Sequence, residues 1–154
     1  PTILNESNER LIIFRNWKPV ANISMPFANT VTVCPNGSII VYIQNGEYFT
    51  YPSFRYYNYD ELGCNYYMIN KTLYYNGSTY KLPNAYQAYP NESLIIGITP
   101  NSVEVEDSRG IMLFNVTVNS PASAIVYWFD GYYYLIVTTY SNNLLIYRLR
   151  TQTH

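Results

Sequence analysis

The stretch that decides the fold covers residues 38–51, SIIVYIQNGEYFTY. Two segments rich in β-branched and aromatic residues flank the pair Asn45-Gly46. Both central residues of a type I′ turn need a positive φ, which Asn and Gly accept more readily than other residues. The pattern therefore predicts a β-hairpin with strands over 38–44 and 47–51.

Two further stretches repeat this pattern. Residues 71–82, KTLYYNGSTYKL, centre on Asn76-Gly77, and residues 124–140, AIVYWFDGYYYLIVTTY, centre on Asp130-Gly131. Eight more segments have strand composition, and no 11-residue window has the apolar spacing of an amphipathic helix. We predict an all-β fold, a single immunoglobulin-like or jelly-roll-like β-sandwich of about 11–14 short strands. The eight additional segments cover residues 10–14, 30–34, 55–59, 66–69, 94–98, 103–106, 111–118 and 144–149.

Some strands also carry a prediction about which face is buried. Val31 and Val33 alternate with polar residues, which indicates that the valines point into the core. In 111–118 one face carries Met112, Phe114, Val116 and Val118, so Asn115 lies on the opposite face, where a glycan could leave. The run 135–137, Leu-Ile-Val, is apolar on both faces, as in a core strand that is covered on both sides.

The composition indicates an exported protein. Charged residues make up 12% of the chain and the formal net charge is −1, which excludes broad electrostatic attraction to nucleic acid or to anionic lipid. Tyrosine occurs 19 times and lysine three times, so the surface is polar but almost uncharged. No stretch approaches the roughly 20 apolar residues that span a bilayer, so no membrane insertion is expected.

The first residue is Pro1 rather than Met, as after removal of a secretion signal, although a trimmed chain would look the same. We expect an extracellular or cell-surface location.

Two cysteines, Cys34 and Cys64, are too few for a metal site. In an exported chain the favoured interpretation is that they form a disulfide, and the alternative is two free buried thiols. Closing a loop of this length would stabilise the fold by about 3–4 kcal/mol in the chain-entropy model.

Sequons for N-glycosylation, Asn-X-Ser/Thr, occur more than twice as often as a random order of the same residues would give. The alternative explanation is that Asn and Ser both gather in turns. We favour glycosylation at most of the sites, and we expect covalent N-glycans but no cofactor. The seven acceptors are Asn5, Asn22, Asn36, Asn70, Asn76, Asn91 and Asn115.

The residues do not support catalysis. The one histidine, His154, is the last residue, and there is no phosphate-binding glycine loop or zinc motif. Asp60-Glu61 and the group Glu104, Glu106 and Asp107 are the acidic candidates. Each could form a low-affinity calcium site, but a solvated strand face is the favoured interpretation. We predict that the protein is not an enzyme and holds no metal.

The tyrosines are concentrated between residues 51 and 89, partly as doublets. Adjacent strand residues point to opposite faces, so each doublet places one ring outward. Outward tyrosines can stack on sugars or contact protein, and the tract does not discriminate between a glycan-binding module and a subunit interface.

The N-terminal segment differs from the rest. Its run Leu11-Ile12-Ile13-Phe14 is apolar on both faces and follows a polar stretch. The sequon-rich, lysine-poor, Tyr-rich chain with this N-terminal run resembles the thread- or pilus-type subunits of archaeal cell surfaces. That resemblance implies a homopolymer assembled by donor-strand complementation, in which one subunit's N-terminal strand completes the sheet of the next. It also implies two parts, a donated strand over 1–14 and a single β-sandwich over 15–154. The donor residues would be Ile3, Leu4, Leu11, Ile12, Ile13 and Phe14.

We therefore expect a structural subunit of an extracellular glycosylated filament with a role in surface adhesion. The alternatives are a monomeric adhesin or carbohydrate-binding module, whose partners would be surface glycans, and a viral coat subunit. The N-terminal run is too short for the long apolar helix of type IV pilins.

Overall fold

In a computed structural model, which describes residues 9–25 and 28–150, the chain is all-β and its sheets are of the β-sandwich type. These residues form seventeen strands and no helix. By contacts the chain divides into two compact units, Pro1–Cys64 and Asn65–His154, where the sequence predicted a single domain over 15–154. We call them unit 1 and unit 2.

Unit 1 contains two antiparallel sheets. In the first, β1 pairs with β2; in the second, the order is β3-β4-β5-β6. Within each sheet the strands pair with their neighbours in sequence, so every connection inside a sheet is a hairpin. The strands of unit 1 are β1 (Glu9–Arg15), β2 (Lys18–Met25), β3 (Thr30–Val33), β4 (Ile39–Tyr42), β5 (Glu47–Tyr51), β6 (Arg55–Asn58) and β7 (Glu61–Leu62).

Unit 2 is built from three groups of antiparallel strands, in the orders β10-β9-β8, β11-β12-β13-β14 and β15-β16-β17. The strands are β8 (Tyr66–Ile69), β9 (Thr72–Tyr75), β10 (Ser78–Lys81), β11 (Gln87–Asn91), β12 (Leu94–Thr99), β13 (Ser102–Glu106), β14 (Met112–Thr117), β15 (Pro121–Phe129), β16 (Tyr132–Thr139) and β17 (Leu144–Leu149).

The middle sheet of unit 2 is covered on both faces. Ile96 and Ile98 of β12 pack with Val126 and Leu135 of the β15–β17 sheet. On the opposite face Ile95 packs with Met68, Leu73 and other buried side chains of the β8–β10 sheet. All six residues of β12 are buried, as the near-continuous apolar run LIIGIT requires. Unit 2 thus has three layers and two apolar cores.

The three hairpins predicted from Gly-containing turns are confirmed. Asn45 and Gly46, Asn76 and Gly77, and Asp130 and Gly131 all have positive φ, as a type I′ turn demands. All fourteen predicted strands are present, with ends that differ by up to three residues. The three additional strands are β2, β7 and β11.

Two burial predictions need correction. Val31 and Val33 are exposed, because all four residues of β3 are exposed and neither face of this strand is covered by another layer. In the run 135–137, Leu135 and Val137 are buried, but Ile136 points away from the core and is only half-buried. The prediction for Asn115 is right, since Phe114 and Val116 pack on the core while Asn115 is exposed.

The disulfide predicted between Cys34 and Cys64 is present, with a Cα–Cα distance of 5.5 Å. Cys34 is buried in a small cluster with Ile40 and Tyr48 of unit 1. The bridge therefore links the β3–β4 turn to the last residue of that unit.

Candidate functional site

The outer face of the β15–β17 sheet is apolar, although it packs on no other layer of unit 2. Three strands supply it in cross-strand rows, one of which is Ile125, Ile136 and Ile146. A second row joins Tyr127 to Tyr134, whose rings stack at 5.3 Å. We call this surface the apolar face, and its members are Ile125, Tyr127, Phe129, Tyr132, Tyr134, Ile136, Leu144 and Ile146.

Much of this surface is open to solvent. Leu144 is 63% exposed, Ile146 and Phe129 are 62% exposed, and Ile125 is 53% exposed. A contiguous exposed apolar patch of this kind marks an interaction site far more often than scattered single side chains do. The apolar face can bind a partner by burying aliphatic and aromatic surface area.

The apolar face carries little charge. Arg148 lies at its tyrosine end, with the guanidinium 4.5 Å from the centre of the Tyr132 ring. At the other end Ser123 and Thr138 satisfy each other through a hydroxyl–hydroxyl hydrogen bond of 2.6 Å. No sequon follows Asn115 in the sequence, so β15, β16 and β17 have no glycan acceptor. This face therefore carries one charge, at its tyrosine end, and no N-glycan acceptor.

A second candidate in unit 2 is an open pocket of about 490 Å³ beside β13 and β14. We call it the Glu104 pocket. Asn115 is the direct cross-strand neighbour of Glu104, so the two side chains lie on the same face of the sheet. The pocket is polar: its lining includes the side chains of Asn84, Thr99, Asn101, Glu104, Asn115 and Thr117.

Glu104 and Glu106 are buried, with exposed fractions of 6% and 7%. The interpretation as a solvated face is therefore wrong. The alternation Val-Glu-Val-Glu puts the valines of β13 into one core. The glutamates lie on the opposite face, beside Ile95 and Gly97 of β12, and Glu104 has a hydrogen bond with Asn84 in the segment that follows β10.

This burial changes the acidity of both carboxyls. Desolvation raises the pKa of Glu104, and a hydrogen bond with Asn84 partly opposes the shift. Desolvation, with the charges of Glu104 and Asp107, raises the pKa of Glu106 to about 7. Asp107 behaves oppositely: its hydrogen bonds, above all with Arg109, hold its pKa below the usual value. The Arg109–Asp107 pair, at 2.7 Å, is the one ion pair within residues 9–25 and 28–150.

The acidic candidates do not converge into a metal site. Asp60 is exposed and Glu61 is half-buried in unit 1, whereas Glu104, Glu106 and Asp107 belong to unit 2. The described part of the chain has no group of three or more His, Cys, Asp or Glu side chains that could hold a metal ion. His154 lies outside the described residues.

Six of the seven sequons fall within the described residues, and Asn5 falls outside them. Asn22, Asn36, Asn70, Asn76 and Asn115 are exposed, on strands or at turns. Asn91 differs because it is half-buried. Its Oδ1 accepts a 2.7 Å hydrogen bond from the backbone N–H of Val126, and the Oδ1 atoms of Asn22 and Asn36 also accept hydrogen bonds, from Arg10 and Ser38. Five of the described acceptors are thus accessible, and one is tied to β15.

The described part of the predicted donor strand has a partner strand in its own chain. The run 11–14 lies in β1, which pairs with β2 of the same chain from Glu9↔Met25 to Arg15↔Lys18. Leu11 is buried with Val41 and Phe49, and Ile13 packs against the same cluster. Ile12 and Phe14 alternate with them and are exposed, so the second face of the run is uncovered. Ile3 and Leu4 lie outside the described residues.

The partner of β1 was missed because β2 contains Pro19, and the turn between them is Asn16-Trp17 without glycine. The apolar face was missed for another reason. Its three strands were predicted, but an apolar side chain on each side of a strand does not say which side another layer covers. Ile125, Tyr127 and Phe129 at alternate positions were the available signal.

The chain is thus an all-β protein with an intrachain disulfide and two candidate sites in unit 2. No helix among the described residues is long and apolar enough to cross a membrane. Comparison with known proteins finds no matching family model, no similar curated protein and no similar solved structure.

Proposed function

We propose that this chain is an extracellular, N-glycosylated structural subunit of a surface filament or layer that contributes to adhesion, and that its copies pair through the apolar face. The observation that carries the proposal is the exposed, sequon-free apolar face of β15–β17. The disulfide and the exposed sequon asparagines support export to an oxidising compartment.

The size of the face supports a second copy as the occupant. A large side chain buries about 150–250 Å². The exposed fractions of six members of the face therefore correspond to roughly 600 Å², before Tyr134 and Ile136 are counted. A standard interface takes about 800 Å² from each partner, so this surface is large enough for most of one.

The chemistry of the face favours protein over sugar. A sugar-binding platform combines aromatic rings with hydrogen-bonding groups, and here the central row is three isoleucines. Aliphatic rows need an apolar partner, and a surface of the same composition on another copy provides one. Surface glycans are the less favoured partner for this face.

The proposed role involves no catalysis. The two buried carboxyls lie two residues apart on β13, but Glu104 lines the pocket and Glu106 does not. A glycosidase would need both acids at one substrate. Strand donation is also not part of the proposal, because β1 has a partner in its own chain.

The test is the association state of the purified protein. Replacing Ile146 by Lys places a charge in the central row, and we expect the dissociation constant of the assembly to rise about 30-fold or more, as for an interface hot spot. Analytical ultracentrifugation measures this change, and negative-stain microscopy of native material should show fibres or arrays.

The matched control is Val33→Lys, at a 69% exposed strand position in unit 1. It should leave association unchanged. Monomers at high micromolar concentration, or equal effects of the two substitutions, would contradict the proposal.

A further inference from the structure

We infer that the Glu104 pocket seats the first sugar of the chain's own glycan on Asn115. This inference rests on the glycosylation that the proposed function includes. It adds that this glycan is held by the fold, whereas the glycan on Asn76 extends from a turn into solvent.

Asn115, the glycan acceptor, lies next to Glu104 at the pocket. Asn115 lies in the middle of β14, not at a turn, and its side chain lines the pocket. A sugar on its Nδ2 begins within a few bond lengths of the neighbouring Glu104 side chain, because directly opposed Cβ atoms in an antiparallel pair are about 4.5–5.5 Å apart. Thr117, the third residue of the sequon, lines the same pocket.

The residues that line the pocket can form hydrogen bonds with a sugar. The Glu104 carboxyl is buried, and its hydrogen bond with Asn84 leaves further acceptor capacity. Sugar hydroxyl and amide groups are donors, and the amide and hydroxyl groups of Asn101 and Thr99 can both donate and accept. A sugar ring would therefore satisfy a carboxyl that the fold removes from most of the solvent.

Asn36 also lines an open pocket, in unit 1, so Asn76 is the acceptor that offers the contrast. Asn76 occupies a type I′ turn, and a Cβ placed on its neighbour Gly77 would meet no atom of the described residues within 4 Å. A glycan there finds no wall to contact. The two sites are a matched pair on one unit.

The attachment is the ordinary glycosyl transfer. The host enzyme joins Asn115 Nδ2 to C1 of a sugar that a lipid-linked phosphate donor supplies. The bond from C1 to the donor's phosphate oxygen breaks, and the amide loses one proton.

The experiment measures glycan release from the folded, glycosylated protein. Peptide mapping by mass spectrometry follows the glycans of Asn115 and Asn76 during treatment with an amidase that cleaves N-linked glycans. We expect release from Asn115 to be about tenfold slower, the factor of one charge-assisted hydrogen bond, and equal rates after denaturation.

Glu104→Gln should bring the Asn115 rate towards that of Asn76. The control is Glu106→Gln, at the neighbouring buried acid outside the pocket, which should leave the rate ratio unchanged. If Glu104→Gln does not fold, Asn84→Ala serves as the second variant and should also accelerate release.

Equal release from the two sites of the native protein would overturn the inference, and so would an unoccupied Asn115 when Asn76 is occupied. Neither result touches the apolar face or the other glycans. A native protein without any glycan would instead overturn the glycoprotein part of the proposed function, and this inference with it. One peptide map therefore distinguishes failure of this inference from failure of the proposed glycosylation.

Discussion

Unit 1 and unit 2 are built from the same kind of hairpin, yet their cores differ in size. Among residues 9–25 and 28–150, the two clusters of unit 1 contain five and three buried residues, whereas those of unit 2 contain eleven and seven. Unit 2 gains this burial by sharing its middle sheet between two layers. Unit 1 has two thinner clusters, and the disulfide closes on the smaller of them.

The difference shows two ways to stabilise short-stranded sheets. A third layer lets one sheet bury both faces, so β12 needs no polar side and no covalent support. A small unit with fewer buried side chains has a less favourable balance between burial and chain entropy, and a cross-link then compensates. Unit 1 should accordingly depend on its disulfide far more than unit 2 does.

The largest expected effect is that of the double substitution Cys34→Ala with Cys64→Ala. Removing a cross-link 30 residues apart should lower the free energy of unfolding of unit 1 by about 3–4 kcal/mol. Hydrogen exchange by mass spectrometry should show loss of protection in β3–β6 with β12 and β13 unchanged. The wild type in reductant should behave in the same way; equal losses of protection in the two units would contradict the division.

The second largest expected effect is the pH dependence of the stability of unit 2. A carboxyl whose pKa is raised in the folded state binds its proton more tightly when folded, so its contribution to stability is present at low pH and is lost as the pH rises. For Glu106 the loss should occur between about pH 4.5 and pH 7. The melting temperature of unit 2 should fall over this window, and Glu106→Gln should flatten the fall.

The exposed Glu92 offers the control, because Glu92→Gln alters a carboxyl at a turn of the same unit. It should leave the pH profile as in the wild type. A profile of unit 2 that rises from pH 4.5 to 7 would have the wrong sign for buried Glu106.

The sequence predicted the elements better than the layers. Hairpins with Gly in the turn follow from two adjacent residues, and all three were found. Strands β2 and β11 were missed because they contain Pro19 and Pro90, and both are edge strands, where a missing N–H breaks no ladder.

It was harder to predict which face of each strand is buried, because the sequence of a single strand does not show how many layers pack on it. Glu104 and Glu106 look solvated in a two-layer sandwich and become buried in a three-layer unit. Ile12 and Ile136 look covered in a continuous apolar run, and each is on an outer face. Of the candidate sites, the disulfide could be predicted from two cysteines, while the apolar face and the Glu104 pocket needed the order of the layers.

The smallest expected effect contrasts two turns of unit 1. Asn16-Trp17 and Asn45-Gly46 both have the positive φ pair of a type I′ turn, but Trp17 adopts φ +67° with a side chain that is 95% exposed. A residue with a Cβ pays about 1–2 kcal/mol in the left-handed region, and this exposed ring gains almost no burial in return. Glycine loses more chain entropy on folding, which offsets about 0.5–1 kcal/mol. Trp17→Gly should therefore stabilise unit 1 by about 0.5–1 kcal/mol in denaturant titrations at a protein concentration that keeps the chain monomeric.

The reciprocal control is Gly77→Ala in unit 2, at φ +78°. A Cβ has open space there among the described atoms, so the substitution measures the free-energy cost of the backbone conformation alone. It should destabilise by about 1 kcal/mol. If Gly77→Ala costs that much and Trp17→Gly gives no gain, the ring contributes to stability in a way that its exposure does not explain, and the two turns are not equivalent.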